Sequence, residues 1–137
     1  MSGEDAKDLI RRLFEDVLNG GKLALLDQLI GGAYIEHNPS PNQAAGAAGV
    51  RARIAALRAA FPDVRFALEE LIAEGPIVAA RYRWQGTHKG PFLGIAPTGR
   101  RLSVRGMDFY RVEGGRVLEH WDLSDEFGML TQLGDLG

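Results

Sequence analysis

Apolar residues recur at helical spacing in the first part of the chain. Between residues 9 and 18 they fall every three or four positions, which places them on one face of a helix. Asn19-Gly20-Gly21 follows as a C-terminal stop. The same spacing predicts a short helix over residues 22–30 and a longer one over 46–60, which ends before Pro62 because the residue preceding a proline avoids the helical region. A short strand is expected over residues 33–37.

The second part of the chain alternates apolar and polar residues, as strands do. We expect strands over residues 65–73 and 76–87, and two more within 101–125 that are joined at Gly114-Gly115. A short helix over 125–133 follows. Helices ahead of a run of strands indicate an α+β layered architecture rather than βαβ winding. The connection at 86–100 is unusually long, which is often a sign of a functional or lid-like loop.

Three polar residues, Asp108, His120 and Asp122, interrupt the last two predicted strands. A two-residue loop at Gly114-Gly115 would send the two aspartates to opposite faces of the sheet. A three-residue loop over residues 113–115 would pair Asp108 with His120 and place all three side chains on one face. We favour the three-residue loop, because the resulting face is mostly apolar with one compact polar cluster, which is the pattern of a ligand cavity.

This register pairs Val112 with Arg116 and divides the two strands into an inner and an outer face. The inner face consists of Val104, Asp108, Tyr110, Val112, Leu118, His120 and Asp122. The outer face holds Met107, Phe109 and Trp121 among Arg105, Arg111 and Glu119. Its apolar side chains favour a buried contact between subunits.

Composition restricts the functions to be considered. The 137 residues suffice for a single domain, residues 1–137, that folds without disulfide or metal. The chain has no cysteine, and its net charge of −2 gives no basic surface for nucleic acid. No apolar run approaches the roughly 20 residues of a membrane span, and the acidic N-terminus differs from a signal peptide. We therefore expect a soluble, cytoplasmic domain without nucleic-acid or membrane partners.

The candidate chemistry is acid–base catalysis by a carboxylate. The three histidines, His37, His88 and His120, lack the spacing of a metal motif, so no metal site is expected, and no serine nucleophile signature is present. An apolar cavity destabilises an aspartate anion and raises its pKa toward a useful range. The competing interpretation is that Asp108, His120 and Asp122 satisfy one another or face solvent, and the residues alone do not decide between the two.

Other candidate residues also have two interpretations. Arg81 either orients a substrate carbonyl or anion, or pairs with an acid on a neighbouring strand. His88 either reaches the site or forms hydrogen bonds within its own loop. Phe14 either lines the cavity or packs in the core.

The runs AAFPDVRFALEELIAEG and VAARYRWQGTHKGPFLGIAPTGRRLSVRGMDFYRVEGGRVLEHWDLSDEFGMLTQLG resemble the SnoaL-like polyketide cyclases of the NTF2-like superfamily. The resemblance covers nearly everything from Tyr34 onward, and the segments GTHKGPFLGIAPTGR and RVEGGRVLEHWDLSD are specific for that group. It implies an α+β cone, in which a strongly curved antiparallel sheet and N-terminal helices enclose a pocket. It also implies a reaction without cofactor or metal, and a homo-oligomer, a dimer formed through the outer face of the sheet.

The resemblance also implies roles for individual residues. Asp122 occupies the acid/base position of the E-H-W-D segment, and Asp108 stands where the antibiotic-pathway cyclases have histidine. The implied reaction is an intramolecular aldol closure on a polyketide-like carbonyl compound, with Asp122 as base and Asp122 or His120 as proton donor. The expected pocket-wall residues are Phe14, His37, Asn38, Trp84 and Tyr110. A hydrolase or isomerase that uses the same carboxylates remains open, as does a carrier of small hydrophobic molecules.

Overall fold

The computed structural model describes residues 1–134. Helix α1 (Gly3–Arg12) begins at Ser2, whose hydroxyl accepts a hydrogen bond from the Asp5 N–H while the Asp5 carboxylate accepts one from the Ser2 N–H, a capping box. The helix continues as a π-helical segment, Leu13–Asn19. These two segments together confirm the first predicted helix, which ends at Asn19, the first residue of the predicted stop.

Three further helices complete the helical part of the described chain. A 3₁₀ turn (Leu23–Leu25) leads into the short α2 (Leu26–Leu29), so the second predicted helix is present in two pieces. Helix α3 (Gly46–Ala60) has the predicted bounds. Helix α4 (Glu126–Leu133) ends at Gly134, which has a left-handed backbone conformation. No helix within residues 1–134 is long and apolar enough to cross a bilayer.

Five strands form one curved sheet that does not close into a barrel. They are β1 (Ile30–Glu36), β2 (Arg65–Glu74), β3 (Ile77–Thr87), β4 (Arg101–Glu113) and β5 (Arg116–Ser124). The spatial order is β1-β5-β4-β3-β2, and β1 lies parallel to β5 while the other neighbours are antiparallel. The sheet is therefore mixed, where an antiparallel sheet was expected. Strand β1 covers an edge of β5 that would otherwise have unpaired backbone groups.

The hairpin between β4 and β5 corrects the predicted loop. Glu113 pairs with Arg116 across a two-residue loop whose glycines, Gly114 and Gly115, have φ values of 57° and 77°, so the prediction of a three-residue loop was wrong. The predicted pairing of Asp108 with His120 was also wrong, because Asp108 lies opposite Asp122.

A β-bulge nevertheless brings the polar residues to the expected face. Val112 pairs with Val117 and Arg111 pairs with Glu119, so Leu118 is an extra residue in β5. One extra residue reverses the alternation of the strand. His120 therefore lies opposite Tyr110 and Asp122 opposite Asp108, so the shared face of the three polar residues is confirmed. The prediction that Leu118 lies on this face was wrong, because Val117 pairs with Val112 and is buried there.

The inner face of the sheet forms the hydrophobic core with α1 and the π-helical segment. Along β3 and β4 the buried residues alternate with exposed ones, as the sequence predicted. Aromatic rings occupy much of this interior: Phe14 lies 5.8 Å from Phe66 and 5.5 Å from Tyr82 between ring centroids. The ring of Tyr82 crosses Gly106 of β4, where a Cβ atom would overlap it.

Candidate active site

The candidate site consists of four strand residues and one helix residue at the edge of the packed interior. Asp108 comes from β4, His120 and Asp122 come from β5, Glu36 ends β1, and Arg53 comes from α3. The register of β4 and β5 places the two aspartates directly opposite each other. Parallel pairing of β1 with β5 sets Glu36 beside His120. The site therefore depends on three neighbouring strands and on the helix that packs on β1.

His120 is held between two carboxylates. Its Nδ1 lies 2.8 Å from Glu36 Oε1, and its Nε2 lies 3.1 Å from Asp108 Oδ2. Burial works against the charged imidazole, but the hydrogen bonds to Asp108 and Glu36 outweigh it and raise the pKa of His120 to about 9. Burial likewise raises the pKa of Glu36, and the contacts with His120 outweigh it and hold that pKa below its usual value. At neutral pH the His120 side chain is therefore an imidazolium that donates hydrogen bonds to the carboxylates of Glu36 and Asp108.

Two tyrosines complete the hydrogen bonding of these carboxylates. The Tyr110 hydroxyl donates to Asp108 Oδ2 at 2.9 Å, and the Tyr34 hydroxyl donates to Glu36 Oε1 at the same distance. Burial, followed by the neighbouring carboxylates, raises the pKa of both phenols, so they stay protonated donors. The Tyr110 ring also stacks on the His120 imidazole, with centroids 4.7 Å apart. His120 is thereby fixed in position as well as in charge.

Asp108 has one oxygen that these contacts do not use. Oδ2 accepts from both Tyr110 and His120, whereas Oδ1 is buried and has no hydrogen-bond partner within residues 1–134. A buried carboxylate oxygen without a donor is unfavourable. It is thus an acceptor position available to a hydroxyl, a water molecule or a protonated neighbour.

Asp122 is paired with a cation on its other side. Arg53 Nη2 donates to Asp122 Oδ2 at 2.6 Å, and Arg53 Nη1 donates to the Asn38 carbonyl at 3.2 Å. The Asn38 side chain in turn accepts from the Asp122 backbone N–H at 3.0 Å. Burial raises the pKa of Asp122, the cation of Arg53 opposes this, Asp108 adds to it, and the net direction is upward. The Asp122 carboxylate is 18% exposed, so a ligand can reach it.

The donor set also bears on metal binding. One ligand atom each from Asp108, His120 and Asp122 lies within 4.8 Å of the others. A metal ion bound there would need a deprotonated His120 nitrogen and would compete with the guanidinium of Arg53 for Asp122. The raised pKa of His120 opposes the first requirement. The arrangement fits an ion-paired acid–base cluster better than a set of metal ligands.

The structure brings together only part of the predicted site. Asp108, His120, Asp122, Tyr110 and Asn38 are joined by the contacts above. Phe14 and Trp84 are buried in the aromatic interior, where Trp84 lies 5.0 Å from Phe61 between ring centroids.

Two predicted pocket residues lie on the other side of the sheet, away from the cluster. His37 stacks on Trp121 at 4.4 Å and contacts Glu119 at 2.7 Å, because it follows Glu36 in the chain and so has the opposite orientation. Arg81 is exposed on the outer face and pairs with Glu69 and Glu70 of β2. Neither residue reaches the inner cluster in this structure.

His88 forms hydrogen bonds within its own loop, the structural one of its two interpretations. It is fully buried at the base of the connection after β3, and its Nδ1 accepts a hydrogen bond from the Thr98 backbone N–H at 3.2 Å. Its ring also stacks on Phe61. His88 therefore fastens the two ends of this connection to each other and to the core.

Sequence reasoning missed Glu36, Arg53 and Tyr34. A signal for Arg53 was present: it follows Val50 by three positions and precedes Leu57 by four, so it occupies the apolar stripe of its helix. A charged residue in such a stripe requires a buried partner. The signal for Glu36 was weaker, since its role depends on which strand lies next to β1.

The outer face of the sheet has concavities of its own. Two concavities, of about 360 and 190 Å³, adjoin the outer face around Arg81 and Met107. They are lined mainly by exposed sheet residues, and Asp108 is the member of the ionisable cluster that borders the smaller one. The inner cluster is the better candidate site, because it gathers partly buried ionisable groups and the pKa values of His120 and Asp122 are raised there.

A curved, unclosed α+β sheet with helices packed on it and ionisable residues on its inner face defines the class of protein as an NTF2-like cone. The solved structure of TsrD from Streptomyces laurentii has this fold. It superposes with a TM-score of 0.89 at 31% sequence identity, covering 98% of both chains.

Sequence comparison identifies the family within this class. The family model described as SnoaL-like polyketide cyclase matches residues 8–133. The aklanonic acid methyl ester cyclase DauD of Streptomyces sp. (strain C5) is 33% identical over 135 residues, which cover 93% of this chain and 81% of that protein. The nogalonic acid methyl ester cyclase of Streptomyces nogalater is 38% identical over 81 residues, 58% of this chain and 60% of that protein. The chain belongs to the SnoaL-like polyketide cyclase family.

Proposed function

We propose that this protein catalyses an intramolecular aldol-type ring closure of a small polyketide-like carbonyl compound, with Asp122 as the acid/base. The observation that carries the proposal is the environment of the Asp122 carboxylate. It is partly buried, its pKa is raised, and it remains accessible from outside. A carboxylate with these properties can accept a proton from a carbon acid and return it later.

The reaction begins with proton transfer from carbon to oxygen. Asp122 takes the proton from a carbon flanked by two carbonyl groups, and the C–H electron pair moves to a carbonyl oxygen to give an enolate. The enolate carbon then forms a bond to an internal carbonyl carbon, and the oxygen of that carbonyl takes the proton back from Asp122. Atoms and charge balance within the substrate, so the proposal requires neither metal nor cofactor.

His120 and Asp108 set the electrostatic conditions for this cycle. The imidazolium of His120 opposes the charge of Asp108, which would otherwise raise the pKa of Asp122 further. Asp108 occupies the position at which the antibiotic-pathway cyclases, which this chain resembles, have histidine. Here His120 supplies an imidazole beside Asp108.

The proposed substrate is a polyketide-derived ester or ketone. Two relatives are named as cyclases of methyl esters, and a β-keto ester provides the acidic carbon that a carboxylate base requires. The exposed side of Arg53 and Asp122 is the route of entry. Asn38 and Tyr110 lie beside the cluster, where the substrate would fold against them.

Comparison of Asp122→Asn with wild type tests the proposal. Asparagine keeps the size of the side chain but cannot act as a base, so we expect turnover of β-keto ester substrates to be lost while ligand affinity is kept. Asp27→Asn is the matched control, because Asp27 is an exposed aspartate that also pairs with an arginine at 2.7 Å. Turnover that survives in Asp122→Asn contradicts the role of Asp122. Ligand binding without turnover in wild type favours a carrier, and hydrolysis without ring closure favours the hydrolase.

We also propose that the protein is a dimer through the outer face of the sheet. Met107, Phe109 and Leu123 are 62%, 53% and 78% exposed on neighbouring strands of that face. Apolar side chains concentrated in this way are unusual on a surface that faces water. A second copy of the chain would bury them and leave the inner cluster accessible.

A further inference from the structure

We propose that Arg53 is a second catalytic residue, whose guanidinium binds the enolate oxygen that forms when Asp122 takes the proton. This inference rests on the proposed function, since it concerns the charge that the proposed proton transfer creates. It assigns a role to a residue of α3, whereas the residues discussed for the chemistry come from the strands.

The first argument is the position of the guanidinium at the accessible side of the cluster. Its Nη2 contacts Asp122 Oδ2 at 2.6 Å, and its Nη1 lies 3.7 Å from Glu36 Oε1. The Arg53 side chain is 34% exposed, more than any other member of the cluster. The guanidinium is therefore available, beside Asp122, to a molecule that contacts that carboxylate from outside.

The second argument is the number of donors that remain. A guanidinium has five N–H groups. Within residues 1–134, Arg53 donates one hydrogen bond to Asp122 and one to the Asn38 carbonyl. Further N–H groups of Arg53 can therefore point to a ligand oxygen without breaking the pair that orients Asp122. Guanidinium groups are well suited to planar, delocalised oxygen anions such as an enolate.

The third argument is the movement of charge during the reaction. Before proton transfer the cluster has three carboxylates, Glu36, Asp108 and Asp122, facing two cations, His120 and Arg53. Proton transfer removes the negative charge from Asp122 and creates one on the substrate oxygen. Both ring nitrogens of His120 already donate to carboxylates, so Arg53 is the cation with donors to spare. A cation fixed beside both Asp122 and the substrate oxygen stabilises the enolate without reorganisation.

Helix α3 also supplies a matched control. Arg51 pairs with Asp27 at 2.7 Å and has a similar exposure of 37%. Because it lies two positions from Arg53 in a helix, its side chain points away from the cluster. Arg51→Gln therefore removes an arginine–carboxylate pair from the same helix and leaves the site intact.

The experiment uses benzoylacetone, a β-diketone whose enolate absorbs at longer wavelength than its enol. The apparent pKa of the bound probe is measured by absorbance in wild type, Arg53→Gln, Arg53→Lys, Arg51→Gln and Asp122→Asn, with circular dichroism as the check of folding. We expect wild type and Arg51→Gln to lower the pKa of the probe by about one unit, a tenfold change for one charge-assisted hydrogen bond. Asp122→Asn should lower it at least as far, because it removes a negative charge beside the enolate. Arg53→Gln should lose this effect, and Arg53→Lys should keep part of it.

The outcomes separate this inference from the proposed function. If Arg53→Gln stabilises the enolate as well as wild type does, or if wild type does not stabilise it, the role of Arg53 is refuted. Deuterium exchange at the acidic carbon of the same probe reports on Asp122 independently. Exchange that depends on Asp122 but not on Arg53 leaves the proposed function standing without this inference. Wild type that catalyses no exchange contradicts the proposed function itself.

Discussion

The strongest prediction concerns the charge on His120. Burial opposes the imidazolium, but hydrogen bonds to Asp108 and Glu36 raise its pKa to about 9 from an ordinary value of 6.5. Because the pKa is higher in the folded state, the stabilisation is complete below pH 6.5 and is lost as the pH rises through about 9. A rise of this size corresponds to at most about 3 kcal/mol of unfolding free energy. The side chain is 13% exposed, so solvent screening reduces this value little.

Urea unfolding at a series of pH values between 6.5 and 9.5 measures the effect. We expect the unfolding free energy of wild type to fall with pH relative to His120→Gln, which has no titrating group at this position. Glutamine can still donate one hydrogen bond, so the variant should fold. The titration of the His120 ring protons by NMR gives the pKa directly. A midpoint below 7, or a difference between the two proteins that does not change with pH, would refute the reasoning.

Three other predictions follow from the same structure. Catalytic turnover should decrease on the acid side with an apparent pKa above the ordinary 3.8 of aspartate. Burial and Asp108 raise the pKa of Asp122 by more than Arg53 lowers it. Glu36, His120 and Tyr82 are the other ionisable groups nearby. A pH–rate profile measures this, and Arg53→Gln should move the midpoint higher, whereas an unchanged midpoint contradicts the pairing. Gly106→Ala should destabilise the protein by about 1–3 kcal/mol in urea unfolding, because its Cβ would overlap the Tyr82 ring. Gly32 has open space around it, so Gly32→Ala should destabilise the protein far less. Equal losses in the two variants would exclude the overlap as the cause. Phe109→Glu should convert a dimer to a monomer in sedimentation velocity. Leu93→Glu should not, although it changes a similarly exposed apolar residue in the connection before β4. A wild-type monomer would refute the proposed interface.

The hairpin illustrates how far local pattern can reach. Alternation along β4 predicted correctly that Val104, Asp108 and Tyr110 face inward while Met107 and Phe109 face outward. The requirement that the three polar residues share one face led to the wrong loop, because a regular strand was assumed on both sides of the turn. The two glycines form the tight turn that their sequence favours, and the parity is restored by the extra residue Leu118. Nothing in the spacing of apolar residues marks that bulge.

The sequence by itself determined most of the elements and the orientation of the side chains along β3 and β4, because the periods of 3.6 and 2 residues depend only on neighbours along the chain. It also identified Asp108, His120 and Asp122 as the unusual residues of their strands. Tertiary structure decided what surrounds them. Glu36 meets His120 across 84 positions and Arg53 meets Asp122 across 69, because β1 pairs with the edge of β5 and α3 packs on β1. The partners that set the charge of His120 and the pKa of Asp122 come from distant segments, and periodicity does not specify which distant segments meet.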